Sequence, residues 1–131
     1  MGVTLIAQEE VVKENYERSI PDLEIPTPLS EKGRKAAQTI RAFMKKHGLG
    51  TGGCKTFYSP KEWLSRGEEY GLGSELVVVY DGGDLYYVMN PHYADYPSLF
   101  DKLQEELDTE LKKAGVYSEA CYGWHGAIYE N

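Results

Sequence analysis

Glu75-Leu76-Val77-Val78-Val79-Tyr80 runs straight into Asp81-Gly82-Gly83-Asp84 and then Leu85-Tyr86-Tyr87-Val88-Met89. The unbroken apolar run that follows Glu75 predicts a central strand over residues 75–80, buried on both faces. Asp-Gly and Gly-Gly supply the positive φ that a tight hairpin needs, so residues 81–84 read as its turn. Leu85, Tyr87 and Met89 then share one face and Tyr86 and Val88 the other, the period-2 pattern of a return strand.

Toward the C-terminus, Pro97 opens a helix with Phe100, Leu103, Leu107 and Leu111 as its buried stripe, extended by Ala114. Asp101, Glu105, Glu106, Asp108 and Glu110 form its acidic outer face. Lys112 and Lys113 suit the negative end of the macrodipole, and Gly115 follows as a cap. Residues 116–122 read as a last strand that bends at Gly123 and resumes at Ala127-Ile128-Tyr129.

Toward the N-terminus, residues 54–58 read as a short strand. Ser59-Pro60-Lys61-Glu62 is a capping-box helix start with proline at the first helical position. That helix carries Trp63, Leu64 and Tyr70, and Gly71 ends it. From residue 53 the expected order is therefore β-α-β-β-α-β. The class is α+β, an antiparallel sheet of three to four strands packed by helices, an order compatible with a ferredoxin-like arrangement.

The first 50 residues read as an added layer on this core, within one α+β domain spanning residues 1–131. Leu5, Val12 and Tyr16 fall near one helical face, which predicts a helix over about 8–18, although Val3-Thr4-Leu5-Ile6 also fits a short strand. Pro21, Pro26 and Pro28 force residues 20–29 into an extended arm. Its Ile20, Leu23, Ile25 and Leu29 must lie on something, in this chain or in a partner. Ser30 then caps a helix whose Ala36, Ala37, Ile40, Phe43 and Met44 make one apolar stripe, with Gly48 as the stop.

The chain has 131 residues, 41% hydrophobic and 27% charged, so whole-chain disorder is not expected. A chain of this length buries about two-thirds of the surface it exposes unfolded. The first residues lack a basic segment followed by a long apolar one, and no run approaches a membrane span. Only Cys54 and Cys121 are present. A cytoplasmic protein with reduced thiols is the expectation.

Net charge is −7, which disfavours non-specific nucleic-acid binding. The charge is unevenly spread. Lys32, Arg34, Lys35, Arg41, Lys45 and Lys46 are six of the 14 basic residues, on one helix. They are candidate phosphate contacts, or partners for the acidic face of the last helix within the molecule or across a dimer.

Several patterns invite chemistry. Gly48, Gly50 and Gly53 with Lys55 match a phosphate-loop spacing. Here a helix precedes and a strand follows, the reverse of the order such a cradle needs, so a helix cap and linker explain it better. Cys121 and His125 form a C-x₃-H pair, with His47 and Cys54 at H-x₆-C, but these are not the spacings of a zinc finger, and no metal or cofactor is expected. Cys54 or Cys121 with His92 or His125 as base, oriented by Asp84 or Asp95, would make a small thiol enzyme; no local cysteine-protease signature supports it.

The 11 tyrosines are more informative. Tyrosine pairs an apolar body with a polar tip and favours interfaces. Tyr86, Tyr87, Tyr122 and Trp124, together with Glu105, Glu106 and Glu110, are the expected protein-binding surface. The expected function is a small acidic binding protein, an inhibitor or adaptor of the kind carried by phage and mobile elements. The expected partner is another protein, with a homodimer as a variant, nucleic acid as the lesser alternative and no membrane.

Overall fold

A four-stranded antiparallel sheet in the order β1-β2-β4-β3 carries the molecule. The computed structural model describes residues 14, 16–68 and 71–131. The expected strand at 3–6, most of the expected helix at 8–18 and Tyr70 lie outside these. Residues 16–19 are helical. The elements that follow are α1 (Glu31–His47), β1 (Phe57–Tyr58), α2 (Pro60–Ser65), β2 (Leu76–Val79), α3 (Leu85–Met89), α4 (Pro97–Lys113), β3 (Val116–Tyr122) and β4 (His125–Glu130), with 3₁₀ turns at Ile20–Leu23 and Pro91–Tyr93. The α+β class and the antiparallel sheet of the sequence reading are both present.

The helix ends follow from local chemistry. The Ser30 hydroxyl accepts the Gly33 N–H at 3.0 Å. Gly48 takes a left-handed φ of 64°, and Leu49 N–H then reaches the Met44 carbonyl at 2.9 Å. At α2 the capping box is complete: Ser59 and Glu62 each accept the other's backbone N–H.

The two faces of the sheet bury different clusters. Leu76, Val78, Tyr80, Val116 and Ile128 face α1, α3 and α4 in the main core, with Ala36, Ile40, Met44, Leu107 and Leu111. Val77 and Val79 point the other way, onto Trp63 of α2. All four residues of β2 are buried, so the apolar run does mark a central strand between β1 and β4. The proline arm is not extended throughout, since Pro21 sits in the first turn of the 3₁₀ helix Ile20–Leu23, where its missing N–H costs nothing, and the arm packs on its own chain. Leu23 is buried in the main core, and Ile25 and Leu29 pack partly buried against it.

The stretch after β2 departs from expectation. Residues 85–89 are helix α3, not a return strand, and the order from residue 53 is β-α-β-α-α-β-β. The ferredoxin-like order is therefore absent. Leu85 and Val88, at i and i+3, are both buried in the main core, a fit that a strand of alternating faces would forfeit. Residues 81–84 do not reverse the chain onto β2 but dock against the loop at 50–53. Asp84 N–H donates to the Gly50 carbonyl at 2.9 Å, and Gly50 N–H donates to the Asp84 carboxylate at 2.7 Å. A Cβ on Gly52 would fall 2.1 Å from the Gly82 carbonyl oxygen, so the approach needs glycine. β4 and β1 take the places beside β2 instead. The first strand is also shorter than expected, and α2 ends at Ser65 rather than near Gly71.

Candidate functional site

The glycine-rich segment 48–53 holds no open anion cradle. The Gly50 N–H is taken by the Asp84 carboxylate, and the Thr51 N–H by the Ser19 hydroxyl at 3.0 Å. Thr51 Oγ1 donates to Asp22 at 2.7 Å. A carboxylate stands where a phosphate would sit, and Arg18, Asp22 and Asp84 line the adjoining cavity of about 520 Å³. The segment serves as the clamp between two loops.

Among the described residues no hydrogen bond joins a cysteine candidate to a histidine candidate. Cys54 is half-buried against the cluster of Trp63, Val77 and Val79. Burial, then the Asp81 and Asp22 carboxylates, push its thiol up. Cys121 is the extra residue of a β-bulge between Ala120 and Tyr122, and burial and Glu119 push its thiol up too. Both shifts run opposite to the lowering that activates a thiolate. His92 is exposed, its ring on Tyr93. His125 is 1% exposed among Trp63, Trp124 and Tyr122, and neither ring nitrogen has a hydrogen-bond partner among the described residues. It therefore bonds neither thiol. Among the described residues no three His, Cys, Asp or Glu side chains gather as a metal-binding group.

The charged helices meet each other. Glu106 of α4 accepts from His47 at 2.6 Å and pairs with Lys46 at 3.3 Å, contacts that hold its carboxyl below the usual range. Lys35, Lys46, Glu106, Glu110 and Lys113 line the groove of about 650 Å³ between α1 and α4. The basic and acidic faces thus partly neutralise each other within one molecule. Glu105 remains exposed, whereas Glu106 and Glu110 look toward the groove.

The aromatic candidates fall into two exposed groups. On the face of the β3–β4 hairpin turned away from the main core, Tyr117 lies beside Tyr129 with ring centroids 5.8 Å apart, and Tyr122 stacks on Trp124 at 6.4 Å. α2 and Trp63 cover the β2 side of this face, leaving Tyr117 45% and Tyr122 50% exposed. The second group surrounds α3. Tyr86 is half-buried and stacks on Tyr93, and Tyr87 packs on Phe100. Tyr93 and Tyr96 are 62% and 74% exposed. The Asn90 side chain joins the groups, donating at 2.9 Å to both the Tyr86 and the Gly123 carbonyls. Tyr93, Tyr96 and Tyr117 were not singled out by sequence as site residues. Only the density of tyrosine in this half signalled them.

No helix among the described residues is long and apolar enough to cross a membrane. The chain has no significant match to a family model, a curated protein or a solved structure.

Proposed function

We propose that this chain is a non-enzymatic protein-binding module that engages its partner through the tyrosine-rich, acidic surface of its C-terminal half. The observation that carries the reading is the exposure of Tyr93, Tyr96, Tyr117 and Tyr122. Large aromatic side chains held by a sheet and short helices offer contact area at little entropic cost, which is why they anchor interfaces. The raised thiols of Cys54 and Cys121 and the unbonded imidazole of His125 favour binding over thiol catalysis.

The test is affinity capture from the native host with the wild-type chain, a Tyr117→Ser/Tyr122→Ser variant and a Tyr93→Ser/Tyr96→Ser variant. At least one double variant is expected to lose a specific protein that the wild type retains at moderate salt. The same proteins on all three would sink the reading.

A further inference from the structure

We infer that the open edge of β3 captures an extended, lysine- or arginine-bearing segment of the partner as a fifth strand. The inference rests on the binding-module reading and deepens it.

β3 is the outer strand of the sheet, and among the described residues nothing pairs with its far side. Its pairing with β4 fixes which groups face outward. Asn131 N–H donates to the Gly115 carbonyl at 3.0 Å. In an antiparallel ladder the bonded positions alternate, so residues 115, 117 and 119 bond toward β4. Val116, Ser118 and Ala120 therefore turn their N–H and C=O groups to the open edge. The Val116 carbonyl is taken by the Asn131 side chain at 3.3 Å, which leaves Ser118 and Ala120 to receive an incoming strand. An unpaired edge of this kind is a template for strand addition. The bulge at Cys121 limits the usable edge to the residues before it.

Charge selects the occupant. Glu119 is exposed on the tyrosine face, flanked along β3 by Tyr117 and Tyr122. On the opposite face, Ser118 and Ala120 share a cavity of about 230 Å³ with Tyr80, Met89, Gln104 and Asp108. Asp108 is exposed, yet partial desolvation raises its carboxyl above its ordinary range, and a cation beside it would offset that desolvation. An added strand sends alternate side chains to the two faces, so cationic residues would meet Asp108 on one and Glu119 on the other. A second copy of this chain is a poor occupant. Its own β3 carries Glu119 and no lysine or arginine, so it would bring no cation to either carboxylate, on a body of net charge −7.

The probes are synthetic seven-residue peptides with blocked ends: one alternating lysine with threonine, one alternating glutamate with threonine, and a lysine peptide N-methylated at alternate residues. Binding is followed by backbone NMR of the full chain. The lysine peptide is expected to shift the Ser118 and Ala120 amides most and to slow their hydrogen exchange. The N-methylated and glutamate peptides should bind at least tenfold more weakly, as should the lysine peptide to an Asp108→Asn/Glu119→Gln variant. Equal binding of the N-methylated peptide, shifts centred elsewhere on the acidic surface, or no binding would overturn the inference. So would a doubled mass by sedimentation with β3 amides protected in the absence of peptide, which would make a second copy the occupant. If tyrosine-dependent capture persists while these peptide results fail, the strand-addition inference falls alone. Loss of that capture overturns the binding-module reading itself.

Discussion

The imidazole of His125 packs against the indole of Trp63, ring centroids 5.0 Å apart, with neither ring nitrogen hydrogen-bonded among the described residues. Burial is the main reason its pKa lies below the ordinary 6.5. Below pH 6.5 the unfolded chain takes up a proton that the folded chain refuses. Stability from this group is therefore complete above pH 6.5 and declines as pH falls toward the folded value. Urea titrations of the wild type and a His125→Phe variant at pH 7 and pH 5.5 would show it. The wild type should lose more stability on acidification. The variant, freed of two unpartnered nitrogens, should lie within about 1 kcal/mol of wild type at pH 7. Parallel pH profiles would remove His125 as the cause.

Gly33 inverts a familiar expectation. Glycine inside a helix usually costs about 0.5–1 kcal/mol relative to alanine, so Gly33→Ala should stabilise α1. Here an added Cβ would sit 2.2 Å from the Glu75 carbonyl oxygen, which is backbone and cannot step aside. The close approach lets α1 lie on the start of β2, where Ser30 Oγ also donates to Glu75 at 2.6 Å. Gly33→Ala should destabilise the protein by about 1–3 kcal/mol, the scale of overpacking. A rise in the thermal midpoint would contradict this.

The legible parts of the fold were those whose signals are local. Pro97 and Gly115 bracket α4, Ser30 and Gly48 bracket α1, and the Ser59–Glu62 box starts α2 as read. The valine run named the buried central strand. Residues 85–89 misled because Leu-Tyr-Tyr-Val-Met alternates like a strand and also places Leu85 and Val88 on one helical face. The contact that decides between them is non-local, the docking of Asp84 on Gly50 across 34 residues of chain. For the same reason the glycine pattern at 48–53 resembled an anion loop. Its acceptor is a carboxylate from a segment no spacing rule connects to it. The tyrosine surface was legible as density alone. Its division into a hairpin face and an α3 face follows from the β3–β4 register and from Asn90.

The thiols give a direct test of the enzymatic alternative. Burial is the leading cause of the rise at both Cys54 and Cys121, with carboxylates adding to it: Asp81 and Asp22 at the first, Glu119 at the second. Less thiolate is present at neutral pH than for a free cysteine, and thiolate is the reactive form. Alkylation by iodoacetamide at pH 7 should be slower at both sites than for glutathione, with site-resolved mass spectrometry as the readout. A thiol that reacts faster than glutathione would restore a nucleophilic role for that residue.

The basic helix α1 should not hold nucleic acid. Nucleic-acid binding would need its cations to reach phosphates, yet most already have neighbours. Lys46 pairs with Glu106 and Lys35 with Glu31, each at 3.3 Å. Arg41 donates to the Tyr16 hydroxyl at 3.4 Å, and the Lys45 ammonium lies 5.7 Å from the centre of the Tyr16 ring. The Lys32 ammonium packs beside Gly115, 2.3 Å from where a Cβ would stand. Exposed pairs such as Lys35–Glu31 are individually weak, at most about 1 kcal/mol, so pairing alone would not block a phosphate. The stronger obstacle is the acidic face of α4 packed alongside, within a chain of net charge −7. Electrostatic attraction to a polyanion is lost when the protein's own field repels it. In gel shift at 50 mM salt, neither duplex nor single-stranded DNA should move at micromolar protein. A Glu105→Gln/Glu106→Gln/Glu110→Gln variant, which unmasks the lysines, should bind measurably more. Wild-type binding that disappears with Lys45→Glu would instead make α1 a nucleic-acid contact.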